Sequence, residues 1–236
     1  MTTPTGRKAI HLRSAVFYAG FLLLAASGIV YGNSLQGRWP GLRLWDWSAW
    51  AWLLAGIPFL FLQAKAGLPE VWDERQRLRD RLYFPLAYGI LFGLADLIII
   101  EHLLPHPPHT TLPPYTQPFP YSVFLYGAGG FEVEVFYRLI PITLGMLVLQ
   151  RWRGGRYGEA GFVTLAILTA LREPLEQWPS GPAWFVGYAL ASSFAMNMLQ
   201  ALLLRRNGFA APVAVRMGHY LVWHILNGIL IQQSLY

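Results

Sequence analysis

The chain has 236 residues, of which 55% are hydrophobic and 13% charged, with a mean hydropathy of +0.37. About a quarter of an ordinary soluble domain is charged, and lipid-crossing helices of about 20 residues each would use nearly the whole length, so a separate soluble domain is excluded. The absence of cysteine excludes disulfides, iron–sulfur clusters, thiolate zinc sites and a cysteine nucleophile, and the net charge of +6 lies in short segments between apolar runs, where it sets orientation and does not point to nucleic acid.

Apolar runs of spanning length fall at 14–31, 45–63, 83–100, 121–150, 160–177, 183–204 and 211–235. They predict an all-α polytopic transmembrane helix bundle forming one integral-membrane domain over 1–236, with about seven spans. Six is the alternative, because Arg172, Glu173, Pro174 and Glu176 cut the fifth run short. The first run comes after Arg7, Lys8 and Arg13 and resembles a signal peptide in outline, but its length favours a retained anchor. Trp39, Trp45, Trp47, Trp50 and Trp52 crowd the outer end of the second, where indole rings favour the headgroup layer.

The segment 70–81 mixes charges of both signs, with Val71, Leu78 and Leu82 spaced for one helical face, and predicts a helix lying along the cytoplasmic surface. Segment 102–120 is rich in Pro and Thr and carries His102, His106 and His109; a metal site is conceivable there, but an ordinary extended loop is expected. Lys65, Arg75, Arg77, Arg79 and Arg81, then Arg151, Arg153 and Arg156, then Arg205 and Arg206 alternate with outer segments holding only Arg38 and Arg43. The positive-inside rule then predicts a multi-pass protein of the cell membrane, surrounded by lipid, with its N-terminus in the cytoplasm and its C-terminus outside.

An ionisable group in hydrocarbon costs about 2.5–3.5 kcal/mol on insertion scales, so each needs a partner or a task. The fourth run carries Glu132, Glu134 and Arg138; the last two share a helical face, and Glu132, on another, has no local partner. The surplus carboxylate is a candidate general base or acid. The last run carries Arg216, Tyr220, His224 and Asn227 as one stripe, with His219 and Trp223 beside it. Arg172, Glu173 and Glu176 form a group in the fifth run, and Ser193, Asn197 and Gln200 share a face in the sixth. In the third, Asp96 shares a face with Gly89 and Gly93, a spacing that lets helix backbones meet closely. A rise of about 1.5 Å per residue from the basic ends brings His224 near mid-membrane and Glu134 somewhat outward of it. Glu134, Glu173 and His224 would suit zinc, but salt bridges explain the same residues, so neither metal nor cofactor is expected.

Val133-Glu134-Val135-Phe136-Tyr137-Arg138, Ser193-Phe194-Ala195-Met196, Arg205-Arg206-Asn207-Gly208, Ala211-Pro212 and His224-Ile225-Leu226-Asn227 together resemble the CPBP intramembrane peptidases, the family of CAAX prenyl endopeptidases and bacteriocin-immunity proteins. The resemblance covers roughly 120–235. It implies a glutamate that activates water for attack on a peptide carbonyl, with histidines and an asparagine assisting. Carried over, those roles fall to Glu134 or Glu132, with Arg138, His224 and Asn227. Val133 stands where the family has its leading glutamate, Leu171-Arg172-Glu173-Pro174 where it has a Phe-x-x-x-His motif, and His224 and Asn227 are three apart where it has four. Two readings are open: an intramembrane hydrolase acting on a membrane peptide, and a catalytically inactive relative that assembles with or protects a membrane-protein partner. A transporter, or a haem or quinone protein using His219 and His224, is a weaker third.

Overall fold

The computed structural model describes residues 4–72, 76–152, 156 and 158–235. Among them are seven helices and no strand. α1 is Pro4–Ser34, α2 Trp47–Leu62 with a 3-10 turn at Leu54–Gly56, α3 Arg79–Leu103, α4 121–151, α5 Gly158–Glu176, α6 Ala183–Asn207 and α7 210–234. Each apolar run of the sequence falls on one helix. α1, α3 and α6 are long and apolar enough to cross a membrane, over Lys8–Ser34, Arg79–Leu103 and Ala183–Asn207.

The helices run alternately up and down. One end gathers the segments after α2, α4 and α6: Gln76 donates to the Arg206 carbonyl at 2.8 Å, Arg205 pairs with Glu159, and His11 meets Glu70 at 2.8 Å. The other end gathers those after α1, α3 and α5, where the Arg43 amide donates to Gln117 Oε1 at 2.9 Å and the Phe119 amide to Gln232 Oε1 at 3.0 Å.

The inner packing explains how the helices are joined. Phe131 of α4 is fully buried, stacked on Phe21 at 4.3 Å and edge-on to Tyr18, so α1 and α4 lock through their aromatic faces. Tyr18 then donates to the Leu53 carbonyl at 2.6 Å, where the 3-10 turn of α2 begins. α3 and α7 cross with backbones in contact: a side chain at Gly93 would meet Val222 Cβ at 2.8 Å, and one at Gly218 would strike the Leu86 carbonyl. The small face that holds Asp96 therefore does bring its helix against a neighbour. Outward, α1, α3, α4 and α5 present Leu23, Val30, Leu91, Ile98, Val148 and Leu168, all exposed. Charges inside and aliphatic side chains outside are the reverse of what water selects.

The expected surface helix over 70–81 is not formed as such. Residues 73–75, and with them Arg75, lie outside the described residues, as does Arg153. On either side, 71–72 form a turn and 76 a bend, and Val71 is fully buried, because this segment plugs the end of the bundle beside Gly208. Helix begins only at Leu78, as the entry to α3. The loop 104–120 is likewise more fixed than its proline content predicts. Thr116 and Gln117 are buried, and Tyr126 donates to the Tyr115 carbonyl at 2.8 Å.

Candidate active site

Four helices place a charged network at the centre of the bundle. Glu134 and Arg138 come from α4, Glu173 from α5, Asn197 and Gln200 from α6 and Arg216 from α7, and all six are buried. Arg216 grips Glu173 with both ends of its guanidinium, at 2.8 and 2.6 Å, while its Nε donates to Glu134 Oε1 at 3.1 Å. Arg138 donates to the same Oε1 at 3.3 Å and to Gln200 Oε1 at 3.0 Å; Gln200 returns its amide to Glu134 at 2.7 Å. Asn197 accepts from Arg216 at 3.3 Å. Two carboxylates face two guanidiniums, so the group is neutral as a whole, which is the condition for burying ions at tolerable cost. Bidentate geometry makes arginine, and not lysine, the fitting cation.

α4 does not pass this network as a regular helix. Val135–Leu139 form a π-turn, and Pro141 comes next but one, without an N–H. In the π register that missing donor would have served the Phe136 carbonyl, five residues earlier, and Arg172 supplies it instead at 3.2 Å. Arg172 also pairs with Glu176 at 2.7 Å, lies over the Tyr137 ring at 4.2 Å, and is exposed; Tyr137 donates to Glu176. Arg172 thus repairs a helix and stays outside the central network.

Two cavities flank the network. The smaller, about 180 Å³, is lined by Asp96, Glu173, Tyr188, Arg216, His219 and His224 among others. Asp96 accepts from Tyr188 at 2.6 Å and from His219 Nε2 at 2.7 Å, while the other His219 nitrogen is buried with no hydrogen-bond partner among the described residues. The larger, about 640 Å³, is lined by Arg43, Tyr115, Tyr126, Glu132, Gln177, Tyr220 and His224 among others. Glu132 is its one carboxylate among those residues, and no hydrogen bond or ion pair of Glu132 occurs among the described residues. His224, Tyr220 and Gln177 line both cavities. The His224 ring stacks on Tyr126 at 4.3 Å, and its Nδ1 lies 2.6 Å from the Tyr115 carbonyl. A carbonyl only accepts, so Nδ1 carries the proton and Nε2 of the neutral ring holds the lone pair.

The residues singled out in the sequence are therefore divided among three places. Glu134, Arg138, Glu173, Asn197 and Arg216 meet in the core; Glu132, Tyr220 and His224 line the larger cavity; Asp96 joins His219. Asn227 goes elsewhere, donating to Glu101 Oε1 at 2.8 Å. Glu134, Glu173 and His224 do not gather as a metal-ligand set among the described residues, since both carboxylates are taken by Arg216. Tyr126, Tyr188 and Arg43 are not legible as site residues in the sequence; each lies in or beside a segment with no polar periodicity of its own, and only the fold brings it inward. Gln177 follows Arg172, Glu173 and Glu176, one helical turn after Glu173, and Glu101 is the carboxylate next to the histidines of 102–120, so their spacing is the signal that points to them.

No family model, no curated protein and no solved structure matches the chain.

Proposed function

We propose that the chain is a multi-pass protein of the cell membrane, a divergent CPBP-type hydrolase that cleaves a membrane-embedded peptide with Glu132 as the base that activates water. One observation carries this reading: Glu132 lines the larger cavity with no cation on it among the described residues, while Glu134, the residue aligned with the family motif, is fully buried and takes three donors on one oxygen. A base must reach water and surrender its charge freely; a carboxylate bound by two guanidiniums does neither.

In this mechanism Glu132 takes a proton from water and the hydroxide attacks the peptide carbonyl. The tetrahedral oxyanion is met by donors lining the same cavity, the Gln177 amide and the Arg43 guanidinium. His224 has its proton committed to Tyr115, so its Nε2 serves as a second proton acceptor and not as the donor the family pattern implies. The proton on Glu132 then passes to the leaving amine. The N-terminus is assigned to the cytoplasm on the grouping of Arg77, Arg79, Arg151, Arg205 and Arg206 at one end of the bundle.

A second reading, a non-catalytic protein that protects or assembles with a membrane-protein partner, draws on the balance of the central network, which needs no reaction to account for it. New protein N-termini in membranes separate the two. Cells carrying the wild-type chain, Glu132→Gln or Glu134→Gln at equal abundance are compared by mass spectrometry. Termini that vanish with Glu132→Gln identify a hydrolase and its substrate. Termini that persist in Glu132→Gln remove the assigned base, and profiles unchanged even without the chain leave the partner reading, which then requires stoichiometric co-purification.

A further inference from the structure

The end of α3 and the loop after it hold a second cluster, distinct from the cavities. One ligand atom from each of Glu101, His106 and His109 lies within 4.8 Å of the other two. Glu101 Oε2 is 3.1 Å from His109 Nε2 and 3.5 Å from His106 Nε2. A tetrahedral zinc ion with bonds of about 2.0–2.1 Å sets its ligand atoms about 3.3 Å apart. Two edges of such a site are thus already at length.

The surroundings divide the work of each group. Glu101 Oε1 accepts from Asn227 at 2.8 Å and from the Tyr115 hydroxyl at 3.0 Å, which turns Oε2 toward the two imidazoles. His106 Nδ1 lies 2.9 Å from the Pro107 carbonyl and must donate to it, leaving the Nε2 lone pair of the neutral ring aimed at Oε2. A fixed Nδ1–H on a backbone carbonyl is how metal-binding histidines are commonly oriented.

Ion pairing explains the geometry less well. The imidazoles are stacked, with centroids 4.8 Å apart, so two imidazoliums on one carboxylate oxygen would repel each other. Both contacts also exceed the about 2.7–2.9 Å of a charge-assisted hydrogen bond. His109 Nε2 is within hydrogen-bond distance of Oε2, and a dication between the three ligand atoms would instead take one lone pair from each.

We propose that Glu101, His106 and His109 form a site for a divalent cation of the zinc class, which clamps the loop 104–120 onto the ends of α3 and α7. Tyr115 ties the clamp to the larger cavity: its hydroxyl holds Glu101 and its carbonyl holds His224 Nδ1. The proposal stands independently of the catalytic reading, because its test reads binding.

The full chain, purified in detergent without a histidine tag and stripped of metal, is titrated with Zn²⁺ by calorimetry and with Co²⁺ by visible absorption. One ion per chain is expected, with the intense Co²⁺ bands of four-coordination. His106→Ala,His109→Ala should weaken binding more than 100-fold, and Tyr115→Phe by about 10–100-fold, as for partners that orient a ligand. His102→Ala, an exposed neighbour outside the cluster, should leave the affinity as it is. No binding by the wild-type chain overturns the proposal, as does equal affinity in the double variant. Should that variant fail to fold, octahedral Co²⁺ bands in the wild-type chain would overturn it alone.

Discussion

Glu132 and Glu134 sit two residues apart on one helix and occupy opposite worlds. Glu134 faces inward, where three helices send it donors, and its side chain is wholly excluded from solvent. Glu132 lines an open cavity and meets no cation among the described residues. Identical chemistry at adjacent faces of α4 thus becomes a structural ion in one case and a candidate reagent in the other. The difference lies in what each neighbouring helix contributes. α6 and α7 bring Gln200 and Arg216 to one face, while the loops bring Tyr115 and water access to the other.

The hardest test of that contrast is removal of the cation that serves both buried carboxylates. Arg216→Leu leaves Glu173 without its bidentate partner and Glu134 with only Arg138 as a cation. Breaking a buried pair from one side costs about 3–5 kcal/mol, and unfolding in detergent micelles should show a loss of that order. Arg216→Lys should recover only part, because an ammonium cannot span both Glu173 oxygens. A stable Arg216→Leu protein would mean that the network is not what holds the four helices together.

Next in size is a comparison of the two glutamates in the same unfolding experiment. Glu134→Gln leaves Arg138 with no paired carboxylate among the described residues, although the new amide oxygen can still accept, and should cost about 3 kcal/mol, the lower end for a buried pair broken from one side. Glu132→Gln breaks no hydrogen bond or ion pair among the described residues and should change stability by no more than about 0.5 kcal/mol. Equal costs would erase the distinction on which the choice of base rests.

How far the sequence reaches can be judged from particular residues. Apolar run length places all seven helices, because lipid-scale hydrophobicity is a local property. The i,i+4 spacing of Glu134 and Arg138 gives their pairing for the same reason. Arg216 and Glu173 are each visible as polar residues needing partners, yet their union depends on how α5 and α7 pack, which no spacing encodes. The π-turn at Val135–Leu139 keeps Arg138 on the face of Glu134 but shifts the phase of α4 after it, so a regular helical projection carried through the turn misassigns the faces of residues beyond Leu139. Asn227 reads as a companion of His224 because both lie on one stripe. Another π-turn, at Leu221–Leu226, falls between Tyr220 and Asn227, and Asn227 meets Glu101 instead. The histidines at 106 and 109 read as an extended loop because the groups that anchor it, Gln117 and Thr116, carry no sequence signal of burial.

The smallest effect belongs to a carboxylate that is neither buried nor unpartnered. Asp46 caps α2: its Oδ1 accepts from the Ser48 hydroxyl at 2.6 Å and the Ala49 amide at 2.8 Å, and these bonds, the hydroxyl first, hold its pKa below the usual carboxylate range. A group whose folded pKa is depressed contributes stability that is fully present above its unfolded pKa of about 3.9 and is lost as pH falls through the lower folded value. Hydrogen-exchange protection of the Ala49 amide, corrected for intrinsic rates, should therefore hold at neutral pH and decline only in that acidic window. Asp46→Asn keeps an acceptor without the charge and should show no such decline, whereas Asp46→Ala should lose protection at every pH. Because Asp46 is solvated, the rest of the bundle should not register any of these changes. A bundle that loosened along with α2 would show that even this exposed cap is coupled to the interior, and the division between structural and free carboxylates would have to be redrawn.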